Sequence, residues 1–160
     1  INISTTETKL LLGHNFLLNE DFWGPRFQVL GGYSKITASV DDSSPIAYTS
    51  ISVGGFAIGL GGSFPLEETS PISLGARLLY FYSPSIDETP RTSGSSSSGK
   101  WTSFSAFGTY KWTSRMNLRG DLMYDLYGAN FSGSGSRGID SASSVTHQMT
   151  TLTAGVEYLF

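Results

Sequence analysis

Hydrophobic and polar residues alternate along most of this chain with a period of two. The pattern is clearest at the C-terminus, where every second residue counted back from the end is apolar. That face carries Leu152, Ala154, Val156, Tyr158 and Phe160, and the opposite face carries Thr151, Thr153, Gly155, Glu157 and Leu159. Because the side chains of a β-strand point to alternate faces, this pattern predicts a strand with one apolar and one mostly polar face.

The same alternation, punctuated by Gly, Pro, Ser and Asp, divides the chain into seven predicted strands. They cover residues 8–18, 26–39, 48–64, 72–82, 100–112, 116–130 and 147–160. Each has 11 residues or more, whereas strands of soluble proteins average about 5–6 and about 9–11 suffice to cross a bilayer at a tilt. No helix is predicted. We therefore expect residues 1–160 to form one all-β domain, an antiparallel transmembrane β-barrel.

Charged residues of the later predicted strands fall on the face opposite the apolar one. In segment 116–130, for example, Arg119 and Asp121 oppose Leu118 and Leu122. The predicted polar network of the lumen is Arg77, Lys111, Arg119, Asp121, Asp125 and Glu157, with Lys9 and Arg26 as further candidates. Because a small barrel is just wide enough for side chains to fill it, these charges are expected to pair and plug the lumen. The alternative is a polar conduit for small solutes.

The predicted connections alternate between short and long. Residues 113–115 form a three-residue turn, whereas 83–99 and 131–146 are long, rich in Ser and Gly, and without apolar periodicity. Outer-membrane barrels show this asymmetry, with short turns on the periplasmic side and longer loops outside. The pattern therefore predicts an up-and-down barrel in which 83–99 and 131–146 are external loops.

Composition narrows the environment of the predicted sheet. Only 14% of the residues are charged, while aromatic residues reach 13%; soluble domains contain roughly 25% charged residues. The net charge of −3 and the scattered basic residues provide no surface for nucleic acid.

Aromatic residues near strand ends predict two interfacial belts, with carbohydrate stacking as the alternative. They are Tyr33, Tyr48, Tyr80, Tyr82, Trp101, Trp112, Tyr124, Tyr158 and Phe160.

Few residues could carry catalysis or bind a metal. The chain has no Cys, and its two histidines, His14 and His147, have no second ligand at metal-binding spacing. Asp140, Ser143 or Ser144 could join His147 in a hydrolytic group, but these serines lie in a Ser-rich segment without a nucleophile turn. The sequence therefore predicts no enzyme activity, no cofactor and no metal.

The C-terminal residues AGVEYLF place Phe160 last, with Tyr158 and Val156 at the alternate positions before it. This ending resembles the C-terminal strand signature of Gram-negative outer-membrane β-barrel proteins. The resemblance covers the whole chain in architecture, but its specific motif is confined to these last residues. It implies an exported protein of the bacterial outer membrane and an even number of strands. It also implies that the barrel assembly machinery recognises Val156, Tyr158 and Phe160.

Seven predicted strands do not fit an even number. If residue 160 lies at the periplasmic end, segment 8–18 begins at the outer surface, whereas an even-stranded barrel begins in the periplasm. Residues 1–7 are too few to cross the membrane and turn back. We therefore expect eight strands, seven of them readable here, with the eighth supplied upstream of Ile1 or by a partner chain. The alternatives are seven strands closing on themselves, or two strands merged in the first third.

The predicted function follows from this architecture. We expect an integral outer-membrane barrel, in contact with lipid and lipopolysaccharide, that has a structural, envelope-integrity or surface-adhesion role. A narrow, porin-like channel for ions or small hydrophobic molecules is the first alternative, and an envelope-lipid-modifying enzyme is the second. Any more specific function is expected to reside in the external loops.

Overall fold

The computed structural model describes residues 3–19, 23–40, 49–68, 70–135 and 143–158, most of which belong to seven strands. The strands are β1 (Ile3–Leu17), β2 (Arg26–Val40), β3 (Ser50–Pro65), β4 (Ile72–Thr89), β5 (Ser96–Lys111), β6 (Met116–Ser132) and β7 (Ser143–Tyr158). Each predicted segment overlaps one of them, so the all-β class and the seven strands are confirmed. These residues contain no helix, and hence none long and apolar enough to cross a membrane.

The seven strands form one antiparallel sheet in which each strand pairs with its neighbour in sequence. This order, β1 to β7, is an up-and-down meander. The sheet curls into a half-barrel, and Lys9 on β1 reaches across its concave side to Met123 on β6, with 3.1 Å between Nζ and Sδ. Among the described residues, β1 and β7 each pair on one side only and do not pair with each other.

Several strands extend into segments that the sequence pattern predicts as loops. β4 continues to Thr89 and β5 begins at Ser96, so only residues 90–95 separate them. β6 continues to Ser132 and β7 begins at Ser143, while residues 136–142 lie outside the described part of the chain. The prediction of an external loop is therefore wrong for most of 83–99 and for both ends of 131–146.

A β-bulge explains why the pattern is lost in β4. Ser83 and Pro84 together face Gly55 on β3, and Ser83 has a positive φ of 41°. Tyr82 points outward before the bulge, whereas Ile86, at the same parity beyond it, is buried. Because one extra residue moves all later side chains to the opposite face, a search for a single continuous period ends at the bulge.

The convex outer surface carries a continuous apolar band. Exposed apolar side chains occupy alternate positions of the strands, for example from Phe56 to Phe64 on β3 and from Ile72 to Tyr82 on β4. Apolar residues at alternate positions of β4, β6 and β7 lie exposed on this surface, among them Leu78, Tyr80, Leu122, Tyr124, Val156 and Tyr158. Toward the long connections the outer face becomes polar, with Ser85, Asp87 and Thr89 exposed on β4.

The concave inner face is apolar near the long connections and polar near the short turns. Four rings occupy directly paired positions of β4 to β7 in its apolar half: Phe81, Trp101, Tyr127 and His147. Trp101 is fully buried and stacks on Phe81, with 3.7 Å between the ring centroids. The prediction of Trp101 in an interfacial belt is therefore wrong, because it has the inward parity of β5. Tyr48 and Phe160 lie outside the described residues.

Candidate functional site

Arg119 on β6 is the centre of a charged network in the polar half of the lumen. Its Nε and Nη2 donate hydrogen bonds to the two carboxylate oxygens of Asp121 at 2.7 and 2.8 Å. Its Nη1 donates to Oε1 of Glu157 on β7 at 2.7 Å. The guanidinium also lies 3.8 Å from the centroid of the Phe107 ring. These contacts hold the side chain in one orientation, because bidentate carboxylate pairing and ring stacking both constrain a planar guanidinium.

The register of β6 and β7 assembles this network. Arg119 and Asp121 share the inward face of β6 because they are two residues apart. Glu157 lies directly opposite Asn117, one step along the same face from Arg119, and so is its diagonal neighbour. Asn117, which is fully buried, also donates to Glu157 at 3.5 Å.

Arg77 on β4 extends the network across the lumen. Its guanidinium lies 5.6 Å from the centroid of the Phe107 ring, and it shares a cavity of about 450 Å³ with Lys9 and Arg119. Asp121 and Glu157 line the same cavity. The structure thus gathers four of the six predicted lumen residues around one space.

The other two predicted residues lie apart from the network. Asp125 is fully buried beside the aromatic row, where its Oδ1 accepts a hydrogen bond from the Trp101 indole at 3.0 Å. Lys111, near the short turns, places its Nζ 4.4 Å from the centroid of the Trp23 ring. Asp125 therefore contributes to the apolar core and Lys111 to the turn end of the sheet.

Several residues that line the lumen are only provisionally assigned to it by the sequence pattern. Lys9 forms an ion pair with Glu7 at 2.6 Å, and Arg26 donates to Ser63 at 2.8 Å. The consecutive leucines 10–12 obscure the inward parity of β1 in the sequence. The guanidinium groups of Arg77 and Arg119 lie over the Phe107 ring. Because Phe107 interrupts the polar face of β5, polarity alone does not predict it as a residue of the charged network.

A second polar cavity opens toward the short turns. It has a volume of about 250 Å³ and is lined by Asn15, Arg26, Gln28 and Ser63 together with Arg119 and Glu157. Arg119 and Glu157 line both this cavity and the larger one. Their ion pair therefore occupies the space through which a solute would pass from one cavity to the other.

Of the residues considered for hydrolysis, only Ser144 and His147 have described side chains, and these two are not brought together. Ser144 is exposed on the outer face of β7, whereas His147 has the opposite parity and stacks on Tyr127, with 4.9 Å between the ring centroids. Asp140 and the side chain of Ser143 lie outside the described residues. His14 is exposed beside Phe16, and the described residues contain no group of three potential metal ligands among His, Cys, Asp and Glu.

Glu88 organises the connection between β4 and β5, beyond the apolar band. Its carboxylate accepts hydrogen bonds from the backbone and the hydroxyl of both Thr92 and Ser93, and from the hydroxyl of Thr49. Burial by itself raises the pKa of Glu88, but the hydrogen bonds from Ser93, Thr92 and Thr49 outweigh burial and lower the pKa below its ordinary value. The carboxylate thereby ties this connection to the start of β3.

No known protein family, curated protein or solved structure matches this chain. The chemistry of the two faces of the sheet therefore carries the functional proposal. The outer face is apolar over a limited height and polar beyond it. The inner face combines a charged network at one end with a packed aromatic core at the other.

Proposed function

We propose that this chain is an integral β-barrel domain of a bacterial outer membrane, without enzyme activity, that contributes to envelope integrity or presents surface structures for adhesion. Its side chains fill the lumen. An eighth strand completes the barrel in this proposal, because the free edges of seven strands would leave backbone groups unpaired in hydrocarbon at several kcal/mol each.

The single observation that carries the proposal is the height of the outer apolar band. On β4 the band runs from Ile72 to Tyr82, ten residue steps. At about 3.3 Å per residue and the tilt of about 40° typical of membrane barrels, this distance spans roughly 25 Å of bilayer. That is the height expected of the lipid-facing surface of an outer-membrane barrel. A soluble protein rarely exposes an apolar surface of this extent.

The charged network supports a structural role over transport. Arg119 and Glu157 pair between the two polar cavities, and the aromatic row crosses the apolar half of the lumen at one level of β4 to β7. A narrow channel is the second candidate, because the two cavities together provide polar space inside the sheet. The proposed contacts are lipid and lipopolysaccharide on the outer face, and the barrel assembly machinery at the C-terminal strand that contains Val156 and Tyr158.

Flotation with lipid vesicles tests the membrane assignment. The protein, refolded from denaturant in the presence of vesicles, should float with the lipid and resist extraction by carbonate. Recovery of folded protein as a soluble monomer without lipid would contradict the proposal. Planar-bilayer recordings separate the two candidates, since a filled lumen should pass no steady current and a channel should pass one.

A further inference from the structure

Arg77 is a lumen cation without a carboxylate of its own. Among the described residues it forms no ion pair, and its buried Nε has no hydrogen-bond partner. The other charged side chains of the same cavity already form ion pairs with one another. They are Glu7, Lys9, Arg119, Asp121 and Glu157. Because a guanidinium away from bulk water is stabilised by bonding its N–H groups, Arg77 is available to an anion from solution.

The cavity next to Arg77 has room for such an anion. Its volume is about 450 Å³, many times the roughly 30 Å³ that a water molecule occupies in the liquid. Ser105, directly opposite Arg77 on β5, is buried and lines this cavity, and Thr153 lines it from β7. Their two hydroxyls can donate hydrogen bonds to an anion held beside the guanidinium.

Two glycines shape the surroundings of Arg77. Gly61 lies directly opposite Arg77 on β3, and Gly75 lies two residues before it on the same inner face of β4. A methyl group at Gly75 would lie 2.3 Å from the Phe107 ring, so the ring occupies the space that a side chain would otherwise fill. The guanidinium carbons of Arg77 and Arg119 lie 5.6 and 3.8 Å from the centroid of this ring. An anion bound by Arg77 would therefore reduce the repulsion of two like charges held on one ring.

The charges of the lumen favour a ligand with a single negative charge. Among the described residues, the two polar cavities are lined by four cationic side chains and three carboxylates. The cations are Lys9, Arg26, Arg77 and Arg119, and the carboxylates are Glu7, Asp121 and Glu157. One monovalent anion makes this set neutral, whereas a phosphate dianion would add an uncompensated charge beside three carboxylates. A carboxylate also matches the parallel N–H groups of a guanidinium in shape.

From these observations we infer that the cavity at Arg77 is a binding site for a small monocarboxylate of the size of acetate. The N–H groups of Arg77 bind the carboxylate, and the hydroxyl of Ser105 donates a further hydrogen bond. This inference goes beyond the proposed function, which requires a filled lumen but no ligand. It concerns binding and not conduction, because the ion pair between Arg119 and Glu157 separates this cavity from the one at the short turns.

Proton–nitrogen NMR of the arginine side chains tests the site. The protein would be folded in detergent micelles, and the Nε–H signal of Arg77 assigned by its loss in Arg77→Met. Titration with sodium acetate should shift this signal along a saturating curve, with half-saturation at roughly millimolar concentration. Sodium chloride at the same ionic strength should shift it much less. The Nε–H of Arg119, which is bonded to Asp121, is the internal reference and should also move much less.

Position 123 provides a matched pair of variants. Met123 lines the same cavity and lies directly opposite Ser105, on the side away from Arg77. Met123→Glu places a tethered carboxylate in the cavity and should weaken acetate binding by about tenfold or more, because the effective concentration of a tethered group is high. Met123→Gln has the same length without the charge and should keep the acetate-dependent shift.

The acetate dependence of stability provides a second, independent measurement. Acetate should raise the unfolding midpoint in micelles by mass action, and Arg77→Met should abolish this rise. Arg115→Met, which removes an exposed arginine from the turn at 113–115, should retain it.

Four results would each overturn the inference. They are the absence of a saturable shift with acetate, an equal shift with chloride or at Arg119, acetate binding that persists in Met123→Glu, and acetate-dependent stability that persists in Arg77→Met. Vesicle flotation is a separate measurement, so failure of the carboxylate site and failure of the membrane assignment are distinguishable.

Discussion

Arg119 on β6 and Glu157 on β7 form an ion pair on the inner face of the sheet, with 2.7 Å between Nη1 and Oε1. Arg119 also holds Asp121, so replacement of Arg119 by Met would leave two inward carboxylates without their cation. We expect Arg119→Met to reduce the free energy of unfolding by roughly 3 kcal/mol, because uncompensated buried charge is the main cost. Denaturant unfolding in vesicles, followed by circular dichroism, measures this loss.

The matched control for that prediction is Glu157→Gln. In this variant Arg119 retains Asp121 as its partner, so the loss should be clearly smaller than for Arg119→Met. Equal losses in the two variants would show that the ion pair, rather than the shared guanidinium, determines the stability of the network.

The two faces of the sheet should tolerate arginine very differently. Leu122 is 52% exposed on the outer apolar band, so Leu122→Arg should cost about 2–4 kcal/mol in a bilayer. Thr153 lies directly opposite Asp121 on the inner face, and Thr153→Arg should cost much less because the new guanidinium meets a carboxylate. Refolding yield and denaturant unfolding in vesicles compare the two, and similar costs would contradict the face assignment.

Met123 also has the inward parity of β6, but Met123→Arg is a poorer control for the cost of an inward arginine than Thr153→Arg. Its sulfur accepts a contact from Lys9 Nζ at 3.1 Å, so an arginine there would face a like charge. We therefore expect Met123→Arg to be less stable than Thr153→Arg in the same unfolding measurement, although both side chains point inward.

The hydrogen-bonded carboxylate of Glu88 should make the β4–β5 connection sensitive to acid. Because the pKa of Glu88 is lower in the folded chain than its ordinary value of 4.5, its contribution to stability is complete above that value and is lost as the pH falls through the folded pKa. Amide exchange in residues 89–95, measured between pH 6 and pH 3, should therefore accelerate at the acidic end after correction for intrinsic rates.

The Glu88→Gln variant separates this effect from general acid unfolding. It keeps the shape of the side chain but loses the charge, so the connection should already exchange faster at pH 6, with a cost of about 1–3 kcal/mol. Its remaining pH dependence should be smaller than that of the wild type. An unchanged pH profile would exclude Glu88 as the titrating group.

Trp101 and Asp125 should be energetically coupled. Trp101→Phe keeps a ring to stack on Phe81 but removes the indole N–H that donates to Oδ1 of Asp125. Oδ2 of Asp125 already has no hydrogen-bond partner among the described residues. We expect a cost of about 1–3 kcal/mol for the unsatisfied carboxylate. The double variant with Asp125→Leu should recover part of this loss, and additive losses in the double-mutant cycle would show that the two residues act independently.

The period of two was sufficient to locate all seven strands, because alternation is a local property of each segment. It also assigned Arg119, Asp121 and Glu157 to the inner face, since parity within one strand does not depend on the neighbouring strands. The polar end of β4 was missed because the bulge at Ser83 reverses the faces, so that the pattern is not visible as one continuous period. The start of β5 was missed because residues 95–98 are all Ser and show no alternation.

The sequence by itself therefore determined the strand class, the direction of most side chains and the segregation of charge to one face. Only the tertiary structure decided which inward residues meet: Asp125 bonds to Trp101 instead of an arginine, and Lys111 lies over Trp23. It also decided that β1 and β7 remain apart. The physical reason is that register and curvature are set by pairing between distant segments, where a shift of one step along a strand changes every partner, while alternation within a segment remains the same.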